Sequence, residues 1–248
     1  MTRKKGTMSD ELFHKIIKEG KSLHCRIYSP FLNGEPFLFP KIFEWLDYME
    51  KEGVWVSLYT NASLLTKEKI ARLCNYKNIS HVVCSINATT KETHEKVMHL
   101  KNYDEIVVNV RYLLDKKPYF RVLCSMALLD ENKDEVLIFK KMWGSRHARI
   151  AQYVNWGGNK HNDIEKETWG EKHFCHHLKN MYILWDGRVC LCCMDYDGKV
   201  ILGDLNKQTI KEVWDNSKWI RDKHEQGKFD ELELCRDCNL NCEKVVRY

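Results

Sequence analysis

The run Val54-Trp55-Val56-Ser57-Leu58-Tyr59, then Thr60-Asn61-Ala62-Ser63-Leu64-Leu65 and Thr66, decides how this chain folds. β-Branched and aromatic residues fill the first part, polar residues turn the chain, and Thr66 stands where a helix cap is wanted. The unit recurs. His81 to Ile86 reads as a strand leading into Asn87-Ala88-Thr89-Thr90, with Thr89 and Glu92 at the spacing of a capping box. Upstream, Leu23 to Ser29 is a strand, and Ile42, Phe43, Trp45, Leu46 and Met49 mark a helix ending near Gly53. Downstream come a helix from Tyr103 to Leu114, a strand from Tyr119 to Leu128, a helix opened by Asn132 and Glu135, and a last strand from Ile150 to Trp156. Ahead of them all, Ser9 caps a helix carrying Leu12, Phe13, Ile16 and Ile17 and closed by Gly20. Five strands alternating with about six helices before residue 158 predict an α/β fold with a parallel sheet, part of a barrel rather than a closed one. Because the series opens on a helix, the expectation is that the opening strand of the βα series is absent.

The last third changes character. Residues 159–171 are polar and read as a linker, dividing a domain over 1–158 from one over 172–248. Met181 to Trp185 and Val189 to Cys193 flank Asp186-Gly187, a strong hairpin signal. Thr209 to Trp214 is a short helix with Thr209 and Glu212 at capping-box spacing. Around these lie Cys175, Cys190, Cys192, Cys193, Cys235, Cys238 and Cys242. Cys235-Arg236-Asp237-Cys238 is a C-x2-C turn, which lets two thiolates reach one metal or cluster, and the hairpin would bring Cys175 and Cys192 near each other. An iron–sulfur cluster and a four-cysteine zinc site both satisfy this spacing. On a continuous strand Cys190 shares a face with Cys192 while Cys193 points away, so Cys193 reads as an ordinary thiol and Cys190 as an even choice.

Composition bounds the rest. Hydrophobic residues at 44% supply a core for one large α/β domain, or a medium domain plus a small one, and a net charge of +5 with interspersed acids makes no case for nucleic acid. Arg3-Lys4-Lys5 is too short to change that. No secretory signal follows Met1, and no apolar run reaches the length of about 18 residues that a membrane span needs. A cytoplasmic location is therefore the expectation, and there eleven cysteines favour metal binding over disulfides.

The cysteine-rich region resembles the C-terminal module of SPASM/twitch radical SAM enzymes. The resemblance rests on Cys175, eleven residues, Gly187, four residues, Cys192 and the late Cys235-x2-Cys238. Leu184-Trp185-Asp186-Gly187-Arg188-Val189, Cys192-Cys193-Met194-Asp195-Tyr196, Leu202-Gly203-Asp204-Leu205 and Ile210-Lys211-Glu212-Val213-Trp214 fit it too. It implies an auxiliary [4Fe–4S] cluster on Cys175, Cys192, Cys235 and Cys238, with Cys242 in reserve. Upstream, Gly34-Glu35-Pro36 looks like the family's GEP motif, Thr60-Asn61-Ala62 like its TNG, and Cys84-Ser85-Ile86-Asn87-Ala88 like its SIDG. These imply an S-adenosylmethionine site at strand carboxyl ends, using Gly34, Glu35, Asn61 and Ser85. Ala62 and Ala88 stand where the family has glycine, so those turns are expected to differ. Trp156-Gly157-Gly158 could line the adenine pocket or sit in a core. His176-His177 reads as a surface pair.

The resemblance implies a partial (βα)6 barrel lacking its first strand, with a small cysteine-rich domain containing a β-hairpin and short helix. The family's chemistry is a 5′-deoxyadenosyl radical drawn from S-adenosylmethionine to modify a peptide or small molecule, with a reductant such as flavodoxin or ferredoxin. One motif is missing. None of the eleven cysteines forms the C-x3-C-x2-C that holds the catalytic cluster; Cys235-x2-Cys238-x3-Cys242 has the intervals reversed. Thr2-Arg3-Lys4-Lys5-Gly6-Thr7-Met8-Ser9 resembles the segment immediately C-terminal to that motif in related enzymes, so the expectation is a chain cut just after it. The alternative is a non-catalytic iron–sulfur or zinc-binding partner.

Overall fold

Strand-forming runs separated by amphipathic helices give a five-stranded sheet of β1 (Ile27–Tyr28), β2 (Trp55–Thr60), β3 (Ile79–Ser85), β4 (Arg121–Ala127) and β5 (Ala148–Ala151), in that order. Every pair is parallel, as βα connections require. The computed structural model describes residues 2–157, 169–240 and 242–244. Its chain divides into two units, Arg26–Gln152, and Met1–Cys25 with Tyr153–Tyr248.

In the first unit the connecting helices are α2 (Ile42–Lys51), α3 (Lys67–Leu73), α4 (Lys91–Met98), α5 (Tyr103–Asp115) and α6 (Val136–Trp143). Leu46 and Met49 of α2, Ile106, Val110 and Leu113 of α5 and Phe139 of α6 are fully buried with Val56, Leu58, Val82 and Met126 of the sheet. Thr66 caps α3 as expected, accepting the Lys69 N–H. The cap of α4 is Thr90, which accepts the Thr93 N–H at 3.2 Å, and not Thr89. Thr89 is diverted because its own N–H and hydroxyl donate to the Glu135 carboxylate, a stronger, charged acceptor. Two strands are shorter than expected. Only Ile27 and Tyr28 of Leu23–Ser29 pair, since β1 is the sheet edge with β2 as its one neighbour. The last strand stops at Ala151, and Asn155 serves the other unit instead, its side-chain N–H donating to the Asp237 carbonyl at 2.6 Å.

The second unit holds α1 (Asp10–Ser22), β6 (Trp169–Lys172), β7 (Tyr182–Ile183), β8 (Arg188–Cys190), β9 (Ile201–Asp204), α7 (Ile210–Asn216), α8 (Lys218–Glu225), α9 (Glu233–Arg236) and β10 (Cys242–Lys244). Ser9 caps α1 as read, but Gly20 lies inside the helix. The left-handed residue that ends it is His24, with φ at 60°, while the Cys25 N–H returns to the Gly20 carbonyl. Strands β7, β8 and β9 form an antiparallel sheet built on the Asp186-Gly187 turn. Gly187 has φ at 89°, and a Cβ there would collide with Asn206, so only glycine fits. The Thr209–Glu212 capping box is present in both directions. Leu12 and Ile16 of α1 join Val189, Leu205 and Val213 in one core, and Lys15 Nζ donates to the Leu205 and Gln208 carbonyls. Strand β6 pairs antiparallel with β10. The polar stretch expected as a linker lies, through residue 168, outside the described residues, as does Gly158; Trp169, Gly170 and Glu171 belong to β6.

Candidate functional site

The sheet unit gathers part of its expected site at the strand ends. Glu35 ends the loop after β1 and caps the turn at Pro36-Phe37-Leu38, accepting the Phe37 N–H at 3.3 Å. The same carboxylate accepts the Thr60 hydroxyl at 2.6 Å and the Asn61 N–H at 2.7 Å. Three of its roughly four lone-pair positions are thereby used, leaving room for one more donor. Thr60, unremarked in the sequence beyond its place beside Asn61, is thus Glu35's direct partner, and its oxygen also accepts the Ala62 N–H. Asn61 turns its side chain onto the Ser63 N–H. Ser85 sits at the carboxyl end of β3, one residue beyond Cys84, which is in register with Thr60. Gly34 has open space at its Cβ position, so packing does not demand glycine there.

The turns that lack the family's glycines do not relax. Ala62 holds φ at 61° and Asn87 at 61°, the left-handed region. That conformation costs alanine roughly 1–2 kcal/mol, and the Glu35 and Thr60 bonds hold it in place. Asn87 is tied down by accepting the Ala127 N–H at 2.7 Å, and buried Asn132 donates to its carbonyl at 2.8 Å.

In the second unit the cysteines converge. Cys175 precedes a short 3-10 turn, Cys192 follows β8, Cys235 lies in α9 and Cys238 just after it. Cys192, Cys235 and Cys238 are buried and Cys175 partly so. Burial pushes every one of these thiols up, Cys235 to about 12, and neighbouring thiols push further: Cys238 acts on Cys175, Cys235 on Cys192, and both Cys238 and Cys175 on Cys235. Opposing this, the Leu240 N–H donates to the Cys238 sulfur at 3.4 Å, and nearby backbone amides favour the thiolates of Cys175 and Cys192. The Lys172 ammonium, bonded to the Cys235 carbonyl at 3.0 Å, draws Cys235, Cys238 and Cys242 down. Cys175, Cys192 and Cys235 thus share one buried cluster, with Cys238 three residues beyond Cys235 and the Lys172 ammonium at the Cys235 carbonyl. Among the described residues no three His, Cys, Asp or Glu side chains gather tightly enough to hold a single metal ion.

The remaining cysteines separate. Cys190 directs its thiol at the Tyr182 and Cys192 carbonyls, a core role. Cys242 bonds the Cys238 carbonyl at 3.8 Å. Cys193 corrects the strand-alternation argument: β8 ends at Cys190, so alternation no longer governs its direction. Its thiol lies close enough to Cys175, Cys192 and Cys238 for mutual charge effects and contacts His177 Nδ1 at 3.4 Å. His177, expected at the surface, is half-buried and takes part. Two supports were illegible in the sequence. His224 is buried between Phe174 and Phe229, accepts the Cys175 N–H at 3.5 Å, and is pushed down to about 4 by that burial. Asp195, also buried, accepts the Lys199 and Val200 N–H groups. Trp156 meets Tyr196 edge-on at 5.8 Å, its ring packed within this unit.

Comparison with known proteins matches residues 1–142 to the radical SAM superfamily and residues 175–239 to SPASM, an iron–sulfur cluster-binding domain. The antilisterial bacteriocin subtilosin biosynthesis protein AlbA of Bacillus subtilis (strain 168) is 29% identical over 155 residues, covering 61% of this chain and 33% of AlbA. The match therefore spans a third of that relative's length. Streptococcus suis SuiB bound to precursor peptide SuiA superposes with a TM-score of 0.73 at 14% identity, covering 98% of this chain and 66% of SuiB. BtrN in complex with AdoMet and 2-DOIA gives 0.65 at 18%, covering 96% and 83%. At these identities the structures establish the shared fold.

Proposed function

The chain belongs to the radical SAM superfamily and carries a SPASM domain, and from that premise we propose that it binds one auxiliary [4Fe–4S] cluster on Cys175, Cys192, Cys235 and Cys238. The observation that carries this is that Cys175, Cys192 and Cys235, distant in sequence, share one buried cluster, with Cys238 also buried three residues beyond Cys235. When bound, such a cluster supplies a one-electron acceptor or donor. The chain's own residues fix the ligands: His224 and the Leu178 amide hold the Cys175 turn, Asp195 holds the turn after Cys192, and Lys172 offsets negative charge.

The sheet unit supports an S-adenosylmethionine site at Glu35, Asn61 and Ser85, where the remaining acceptor position on Glu35 suits an ammonium. Likeness to AlbA and SuiB favours a peptide as the molecule the system modifies, in the cytoplasm and with a low-potential reductant such as flavodoxin or ferredoxin. A small-molecule substrate is the alternative that the BtrN likeness supports. The absence of C-x3-C-x2-C from these 248 residues favours a second reading for the chain by itself, a non-catalytic iron–sulfur partner; a zinc protein on the same thiols is disfavoured, since among the described residues no three such ligands gather around a single ion.

Anaerobic reconstitution of the chain with iron and sulfide tests both. About four irons per chain, a [4Fe–4S] Mössbauer signature and no zinc support the auxiliary cluster. Stoichiometric zinc with no iron refutes it. S-adenosylmethionine bound by wild type and not by Glu35→Ala supports the strand-end site, and equal binding by both refutes it.

A further inference from the structure

Cys193 differs from its neighbours in how it is held. At the neighbouring Cys238 the sulfur takes a local backbone donor, the Leu240 N–H at 3.4 Å. Cys193 is gripped by side chains of other segments. His177 Nδ1 lies 3.4 Å from its sulfur and 2.7 Å from the Tyr182 hydroxyl, and Asn180 Nδ2 donates to that hydroxyl at 3.5 Å. His177 is two residues past Cys175, Cys193 is next to Cys192, and Tyr182 begins β7. One side-chain cluster thus ties the turn carrying Cys175 to the turn carrying Cys192 and anchors both to the antiparallel sheet.

We propose that Cys193, held by His177 and Tyr182, is a non-ligating thiol that positions two ligand turns and sets the reduction potential of the cluster between them. The inference rests on reading the site as a cluster site. A fully thiolate-ligated [4Fe–4S] cluster takes four thiolates, which Cys175, Cys192, Cys235 and Cys238 would supply, and groups just outside the ligands govern both retention and potential.

The test uses the full chain reconstituted anaerobically, as wild type, Cys193→Ala, Cys193→Ser, Tyr182→Phe, the Cys193→Ala/Tyr182→Phe pair, and Cys190→Ala as a core-thiol control. Iron per chain, the midpoint potential by EPR-monitored titration, and the rate of iron release to a chelator are measured. Cys193→Ala is expected to keep the wild-type iron content, shift the potential, and release iron about tenfold faster. Tyr182→Phe should shift the potential in the same direction, the pair should add little, Cys193→Ser should fall between, and Cys190→Ala should match wild type. Loss of the cluster in Cys193→Ala would make it a ligand and overturn the proposal, as would an unchanged potential and release rate. An equal effect from Cys190→Ala reduces Cys193 to packing and also overturns it. A wild-type chain that takes up no iron overturns the function itself, an outcome distinct from a normal cluster indifferent to Cys193.

Discussion

Replacing Asp195 with alanine should loosen the turn that presents Cys192. The buried carboxylate accepts the Lys199 N–H at 2.8 Å and the Val200 N–H at 3.0 Å. The same turn is closed by the Asp195 N–H on the Cys192 carbonyl and the Gly198 N–H on the Asp195 carbonyl, both at 3.1 Å. Alanine keeps those two backbone bonds and removes the two charged ones. Both lost bonds are partly buried, so water replaces them incompletely; taking about 1–1.5 kcal/mol for each gives roughly 2–3 kcal/mol. At 1.4 kcal/mol per decade, the open turn becomes roughly 30- to 150-fold more populated. Amide hydrogen exchange followed by NMR on the iron-free protein reads this directly. Lys199 and Val200 should lose protection by that factor, while amides of β3 and β4 in the other unit stay unchanged. Asp195→Asn, which retains one acceptor, should lose about half as much free energy. Protection at Lys199 and Val200 within twofold of wild type in Asp195→Ala would refute the reasoning.

Three more outcomes concern other parts of the molecule. A Cβ on Gly203 would lie 2.5 Å from Val213 Cγ2 and 2.8 Å from Gln208 Oε1, so Gly203→Ala should cost about 1–3 kcal/mol by overpacking, visible as a lower thermal midpoint. Cys175→Ala should abolish cluster assembly while Cys190→Ala retains it, because the Cys190 thiol is spent on two carbonyls; iron analysis after reconstitution separates them. Buried His94 donates from Nδ1 to the Ile86 carbonyl at 2.9 Å, and burial lowers its pKa below 6.5. Below that pH the unfolded chain takes up a proton that the folded chain refuses, so stability should fall as pH drops through about 6.5. Urea midpoints against pH should show a shallower fall in His94→Gln, with His81 and His224, likewise lowered by burial, keeping the remainder.

The alternating pattern of Val54–Thr66 and its repeats was enough to read the parallel sheet, because strand and helix periodicities are local properties. Errors arose where a distant group intervened. Thr89 has the spacing of a cap, yet Glu135, forty-six positions on, claims its hydrogen bonds and moves the cap to Thr90. Gly20 has the residue type of a helix end, but the chain finds its left-handed position at His24. The cysteines of the metal-like spacing were legible from C-x2-C and the hairpin. Cys193 was not, since its direction depends on where β8 stops, and His224 and Asp195 carry no motif at all. Strand β9 and helix α8 passed unread for a similar reason: they are stabilised by packing in the C-terminal unit more than by any turn or cap signal of their own.

Helix α1 shares a core with Val189, Leu205 and Val213, which come only after the whole sheet unit has been synthesised. On a ribosome adding about 5–20 residues per second, its apolar face waits roughly 10–40 s for those partners. During that interval Leu12 and Ile16 lack the partners that bury them in the folded chain. Slow codons between α1 and β9 would lengthen the wait, and a circular permutation placing α1 beside β7 would shorten it.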